Sequence, residues 1–242
     1  MPAVPIEVLE AVDSTNAEAR RRAEAGERGP LWITAKRQTA GRGRRGRSWE
    51  TGEGNLATTL LCVSDKPPAQ AAQVSFVAAL AVADLAARYV PAALITLKWP
   101  NDVLIGAAKS AGILVESGPH PAGGLWLAIG IGVNLATPPV APERPATAFS
   151  RHMRGPPPAP TEALSQLAET FERWQGVWER LGFAPIAEAW TARAHGLGQT
   201  CTARLASETI AGIAEGLDGD GALRLRTAGG VVRRITAGDV FF

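Results

Sequence analysis

Gly41-Arg42-Gly43-Arg44-Arg45-Gly46-Arg47-Ser48-Trp49 sets four arginines among three glycines, between two runs that read as strands, Leu31 to Lys36 and Asn55 to Val63. Each guanidinium is permanently charged and presents a planar fork matched to phosphate or carboxylate. The glycines let backbone N–H groups come close to a ligand. Nothing in the segment can be buried as core, so it reads as a loop held by two strands that meets an anion, or else as a solvated basic patch. The formal net charge of +2 over 242 residues is too small for a dedicated nucleic-acid binder, which makes the arginine cluster a local device.

Working outward, Ile6 to Leu9 reads as a strand leading to Asp13-Ser14-Thr15-Asn16. Thr15 and Glu18 have capping-box spacing for a helix that Gly26 ends. An alanine-rich helix is expected from Ala69 to Tyr89, its apolar positions recurring at helical spacing. Strands follow at Leu94 to Trp99, Val103 to Ile105, Ser110 to Glu116 and Leu125 to Val133, mostly antiparallel neighbours. Thr137 to Pro160 is rich in proline and reads as an irregular connection, before helices from Thr161 to Leu181 and Pro185 to His195. Gly196-Leu197-Gly198 marks a boundary between residues 1–195 and a tail, 196–242, with five short strand-like runs and hairpin turns at Asp218–Gly221 and Gly229-Gly230. So small a tail is near the lower limit for an independent core and is expected to lean on the main domain.

A hydrophobic content of 46% is ample for that core, and Cys62 and Cys201 lie far apart in apolar segments, as reduced structural thiols of a cytoplasmic protein do. The first ten residues lack a basic start and an apolar core, and Asp84 interrupts the longest apolar helix, so neither signal peptide nor membrane span is expected.

Lysine usage points to the chemistry. Only Lys36, Lys66, Lys98 and Lys109 stand among 25 basic residues, and a lysine retained in an arginine-biased chain suggests a compact ammonium where a planar fork would not fit. Two of them lie in Lys98-Trp99-Pro100-Asn101-Asp102 and Lys109-Ser110-Ala111-Gly112-Ile113. Pro100 turns the chain sharply, so Asn101 and Asp102 can project from a strand end, and Asp102 and Lys109 flank a short hairpin that could join them at one phosphate or metal. An Asx turn beside an exposed lysine is the plainer alternative. Gly112, Gly130 and Gly132 fall inside strands, where a missing side chain lets a ligand lie against the backbone; Asn134 ends that strand with an amide.

Asp13 to Asn16, Gln38 to Trp49, Lys98 to Asp102, Lys109 to Glu116 and Gly130 to Asn134 together resemble, in order and over nearly the whole chain, the biotin protein ligases. The resemblance implies an α+β fold: a mixed-sheet catalytic domain like that of class II aminoacyl-tRNA synthetases, with a small SH3-like β-barrel at the C-terminus. It implies an enzyme that joins biotin to ATP as biotinyl-5′-adenylate, with Mg²⁺, and transfers biotin to a lysine of a biotin carboxyl carrier protein or domain of the acetyl-CoA carboxylase type. Some members carry an N-terminal helix-turn-helix repressor; catalytic motifs beginning at Asp13 leave no room for one, so no repressor role and no nucleic-acid partner are expected, and the want of an apolar span leaves no membrane partner expected either. Edge strands permit a homodimer.

By the same resemblance Ser14, Thr15, Asn16, Gln38, Gly41, Arg42, Arg44, Lys109 and Gly112 bind biotin, while Arg42, Arg44, Arg45, Trp49, Asn101, Lys109 and Asn134 bind ATP or the adenylate. Lys109, Arg44 and Asp102 are the catalytic candidates, with Asp102 orienting Lys109, deprotonating the acceptor lysine or holding Mg²⁺. Four neighbouring arginines repel, so the loop is expected to be mobile until an anion folds it. Ser110, in place of the family's usual apolar residue, should not touch the chemistry. Three rivals remain at this level: a lipoate-type ligase sharing the acyl-adenylate logic, a nucleic-acid-binding module gripping phosphates with the basic loop, and a non-catalytic biotin sensor.

Overall fold

A computed structural model of the chain describes residues 4–140, 142 and 144–242. In chain order the main elements are β1 (Ile6–Leu9), α1 (Thr15–Glu24), β2 (Leu31–Ala35), β3 (Leu56–Ser64), α2 (Pro68–Ala71), α3 (Val74–Ala87), β4 (Ile95–Lys98), β5 (Asp102–Ile105), β6 (Ala108–Pro119), β7 (Leu125–Val133), α4 (Pro160–Leu181) and α5 (Ala184–Thr191). The tail adds β8 (Thr200–Arg204), β9 (Thr209–Leu217), β10 (Leu223–Arg226), β11 (Val232–Ile235) and β12 (Asp239–Phe241).

The first seven strands form one sheet in the order β1-β2-β3-β7-β6-β5-β4. β1 runs parallel to β2 and the other pairs are antiparallel, so the sheet is mixed, as expected. Side chains alternate across it. Trp32, Leu60, Leu127, Ile129, Ile131 and Val133 point to one face and join the main core with α3, α4 and α5. Ile33, Leu61 and Ala128 point to the other, where α1 covers them with Ala19 and Ala23. Along β7 that second face continues as Gly130, against the Asn16 amide of α1, and Gly132, under the Trp49 ring, and there bare backbone forms the floor of a cavity.

The tail strands form an antiparallel sheet in the order β11-β10-β9-β8-β12, the small all-antiparallel module anticipated as SH3-like. It shares the main core through Cys201, Ala203, Ala214, Leu223 and Val240, and Trp99 donates to Gly221 O at 3.0 Å. This is the leaning that its size predicted.

Three local expectations are corrected. The helix read over Ala69 to Tyr89 is two helices, broken between Ala71 and Val74 by residues that keep local i→i−3 bonds. By composition Pro68–Ala87 is long and apolar enough to cross a membrane, but most of it is buried in the core. Ser14, not Thr15, is the N-cap of α1, and Glu18 turns to Arg21 and Arg22 instead of closing a capping box. Finally, the last strand-like run reads from sequence as Val240 to Phe242, whereas β12 begins at Asp239, which puts that carboxylate on a strand.

Candidate active site

The glycines are what open the floor. A Cβ on Gly132 would lie 2.3 Å from Trp49 Cε2, and one on Gly112 would lie 3.1 Å from Lys109 Nζ and 3.2 Å from Trp49 Cζ3. The Trp49 indole therefore rests on bare backbone of β6 and β7, with Lys109 Nζ 5.5 Å from its ring centroid. Two cavities meet at this point. One, of about 730 Å³, runs from Ser14, Thr15, Asn16 and Gln38 over Gly130 and Gly132 to Lys109; the other, of about 810 Å³, continues past Trp49 to Asn134 and Arg144. Asp102, Lys109, Trp49, Ser48 and Arg47 line both.

At the closed end of the first cavity the polar groups from α1 are buried and mutually fixed. Thr15 donates its backbone N–H to Gln38 Oε1 at 2.8 Å, and Gln38 Nε2 donates to Thr51 Oγ1 at 3.1 Å. The Thr59 hydroxyl stands 2.8 Å from Thr15 Oγ1 and 2.7 Å from Asn16 Oδ1. Asn16 Nδ2 donates to Glu116 Oε2 at 2.8 Å and to Leu114 O at 3.2 Å, and its amide fills the space a Gly130 side chain would need. Asn16 thus spends its amide within the protein, pinning α1 to β6, while lining the cavity.

The arginine loop is organised. Trp49 N–H donates to Gly41 O at 2.9 Å and Gly43 N–H to Arg47 O at 2.7 Å, with a 3-10 turn at Arg44–Gly46 and Arg45 at φ +56°. The repulsion expected to keep the loop mobile is met by protein groups. Arg44 donates to Asn101 Oδ1 at 3.2 Å and to Gly238 O at 3.0 Å; Arg45 lies 3.3 Å from Asp239 Oδ2 and Arg47 is hydrogen-bonded to the same carboxylate. Burial raises the Asp239 carboxyl, but the Arg47 hydrogen bond and the charges of Arg47, Arg144 and Arg45 outweigh it and hold the group below the usual carboxylate range. Burial also pushes the Arg44 guanidinium down from its ordinary value, against the pull of Asp239 and Asp102.

The hairpin joins Asp102 and Lys109 as expected. Lys109 Nζ sits 2.5 Å from Asp102 Oδ1 in an ion pair, Asp102 being buried and Lys109 partly open. Lys98, the cross-strand neighbour of Asp102, is also near; burial pushes its ammonium down, and Arg144 adds to that. Asn101 is clasped to the middle of β6, donating Nδ2 to Ile113 O at 2.6 Å and accepting the Ile113 N–H on its own carbonyl at 3.0 Å. Asn134 lines the second cavity, yet its Nδ2 donates to Thr147 O at 3.0 Å, so part of its amide is already used to hold the 145–149 segment. That segment accepts Lys109 N–H on Pro145 O at 2.8 Å.

Arg42 and Arg44 line the first cavity, whereas Gly41 and Arg45 line neither. A Cβ on Gly41 would strike Trp49 O at 2.4 Å, so Gly41 shapes the loop. Among the described residues no three His, Cys, Asp or Glu side chains could hold a metal. Asp102 alone, already paired to Lys109, does not make a resident Mg²⁺ site. Sequence reasoning missed Thr59, Arg47, Arg144 and Asp239. Arg47 lay in the quoted motif, whereas Asp239 carries no local signal because its partners are far away in the chain.

Residues 8–135 match the biotin/lipoate A/B protein ligase family, and residues 196–242 match the biotin protein ligase C terminal domain. A biotin–acetyl-CoA-carboxylase ligase of Paracoccus denitrificans is 45% identical over 97% of this chain and 99% of its own length. The solved biotin protein ligase of Aquifex aeolicus in complex with biotin and ATP is similar with a TM-score of 0.82 at 25% identity, covering 98% of this chain and 97% of that one. The Leishmania major biotin protein ligase in complex with biotinyl-5-AMP is similar with a TM-score of 0.64 at 25% identity, covering 98% of this chain and 100% of that one.

Proposed function

This chain belongs to the biotin/lipoate A/B protein ligase family, and we propose from that premise how its two joined cavities divide the work. It is an ATP-dependent ligase that activates biotin as biotinyl-5′-adenylate, releases pyrophosphate and transfers biotin to a carrier lysine. A lipoate-type activity is not favoured, because residues 196–242 match the biotin protein ligase C-terminal domain. The observation that carries the residue-level reading is the Lys109–Asp102 pair at the junction of both cavities.

In this reading the buried polar end at Ser14, Thr15 and Gln38 takes the ureido ring, a small head with two N–H donors and a carbonyl acceptor. The biotin chain crosses the first cavity from that end toward Trp49, and its carboxylate reaches Lys109 and the arginines of the loop. ATP occupies the second cavity, bounded by Trp49, Asn134 and Arg144. Carboxylate and α-phosphate are both anionic, so fixed cations at their meeting point screen the repulsion and stabilise charge on the departing pyrophosphate. Lys109 is the point charge there. Asp102 holds it in place and, once the acceptor lysine arrives, is the nearby carboxylate able to take its proton. Mg²⁺ enters with the triphosphate as part of the substrate, since no three His, Cys, Asp or Glu side chains among the described residues could hold it.

The acceptor is a biotin carboxyl carrier protein or domain, the reaction is cytoplasmic, and neither nucleic acid nor membrane takes part. Residues 1–195 are the catalytic unit and 196–242 the C-terminal module, which reaches the site through Gly238 and Asp239. Ile6 and Val8 on the outer strand β1 are exposed, an edge along which a homodimer would pair; light scattering tests that. The enzymatic reading is tested by incubating the protein with biotin, MgATP and a carrier domain. Pyrophosphate release and a biotinylated acceptor lysine are expected; nucleotide-independent biotin binding with no product would leave only the sensor.

A further inference from the structure

Lys109 lines the second cavity from β6, and the Arg144 guanidinium lines the same cavity. Arg144 lies on the segment whose Pro145 carbonyl accepts the Lys109 N–H and whose Ala146 is bridged to Lys109, so the two cations are coupled through backbone. Its guanidinium carbon is 4.6 Å from the centre of the Phe241 ring, and its Nη2 is 3.8 Å from Asp239 Oδ2. A guanidinium packed on an aromatic face keeps its N–H edge for hydrogen bonding. Three arginines share the Asp239 carboxylate, and Arg144 makes the longest of the contacts: Arg47 is hydrogen-bonded and Arg45 stands at 3.3 Å. It therefore gives up the least by turning to another anion.

We infer that Arg144 is a binding residue for the two phosphates that leave as pyrophosphate, an inference that rests on the adenylate-forming reading above. In that step a biotin carboxylate oxygen bonds to the α-phosphorus and the bond from that phosphorus to the bridging oxygen of the β-phosphate breaks. The electron pair stays on pyrophosphate, whose negative charge grows farther from Lys109 than the attacking carboxylate. A second cation lining the same cavity is placed for that charge. The loop cations Arg44, Arg45 and Arg47 already have protein acceptors on Asn101, Gly238 and Asp239.

The test is steady-state pyrophosphate release by Arg144→Ala and Arg144→Lys beside the unaltered protein. Arg144→Ala is expected to raise the KM for MgATP by about tenfold or more, the size of a lost charged hydrogen bond, and to weaken product inhibition by added pyrophosphate in proportion. The KM for biotin should stay within about twofold, because the ureido end is built elsewhere. Arg144→Lys should recover part of both losses through charge alone. Unchanged ATP KM and pyrophosphate inhibition in an active Arg144→Ala protein would overturn the inference by itself. So would a parallel rise in both KM values with a lowered melting temperature, which would mark Arg144 as packing. Failure of the unaltered protein to release pyrophosphate from biotin and MgATP would instead overturn the enzymatic reading, and this inference with it.

Discussion

Lys109 Nζ and Asp102 Oδ1 stand 2.5 Å apart across the β5–β6 hairpin, so the ammonium is held from below by a buried carboxylate while its open side faces both cavities. Lys109→Ala should lower single-turnover adenylate formation by about 10²- to 10³-fold, as removal of one transition-state donor does. Lys109→Arg should recover little, because a planar fork cannot occupy a place shaped for a point charge between Gly112 and Trp49. Asp102→Asn should cost less in this step than Lys109→Ala, since the cation remains. Equal single-turnover rates for Lys109→Ala and the unaltered protein would remove Lys109 from the chemistry.

The floor glycines are not equivalent. Gly132→Ala drives a methyl to 2.3 Å from the Trp49 ring, whereas Gly112→Ala meets the end of a flexible lysine at 3.1 Å. Overpacking of the first kind costs about 1–3 kcal/mol, and it is the indole that must move. Gly132→Ala should therefore weaken biotin and ATP binding by roughly tenfold or more, with Gly112→Ala well below that. Calorimetric titration of both variants checks the order; comparable affinities would show that Trp49 is free to shift.

Much of this was readable in the residues. The strand alternation Ile129-Gly130-Ile131-Gly132-Val133 carries both the core face and the open face in its own period, and Pro100 announces the turn that brings Asp102 to Lys109. Such signals are local. The loop's counter-charge was not readable, because Asp239 meets Arg45 and Arg47 from nearly 200 positions away and looks, in sequence, like any strand-end aspartate. Asn16 and Asn134 show a subtler limit: an amide that lines a cavity can equally serve the backbone behind it, and only geometry shows that part of each is already committed.

Both cysteines are free, and burial raises each thiol pKa, that of Cys62 to about 12 with the charge of Glu179 adding to the effect. Thiolate is the reactive form, so at pH 8 the folded protein should react with an aromatic disulfide reagent far more slowly than the denatured chain, which should release two equivalents. Rapid native labelling of one equivalent would show that the β3 region opens.

Asp239 ties the loop to the tail, and its acid dependence has a definite sign. Its side chain is only 6% exposed and its folded pKa lies below the unfolded value of about 3.9, so the stabilisation is present above that value and is lost as pH falls through the folded pKa. Asp239→Asn keeps the shape but removes the charge. The partner arginines are themselves about a third exposed, so solvent screening keeps the expected loss at pH 7 to about 1–2 kcal/mol. Denaturant unfolding at a series of pH values should show the two proteins converging below about pH 4. The variant should also bind MgATP more weakly, because arginines released from their shared carboxylate lose the arrangement in which the loop meets Gly238. A stability gap that is the same at pH 7 and pH 3 would mean that Asp239 acts through packing and not through its charge.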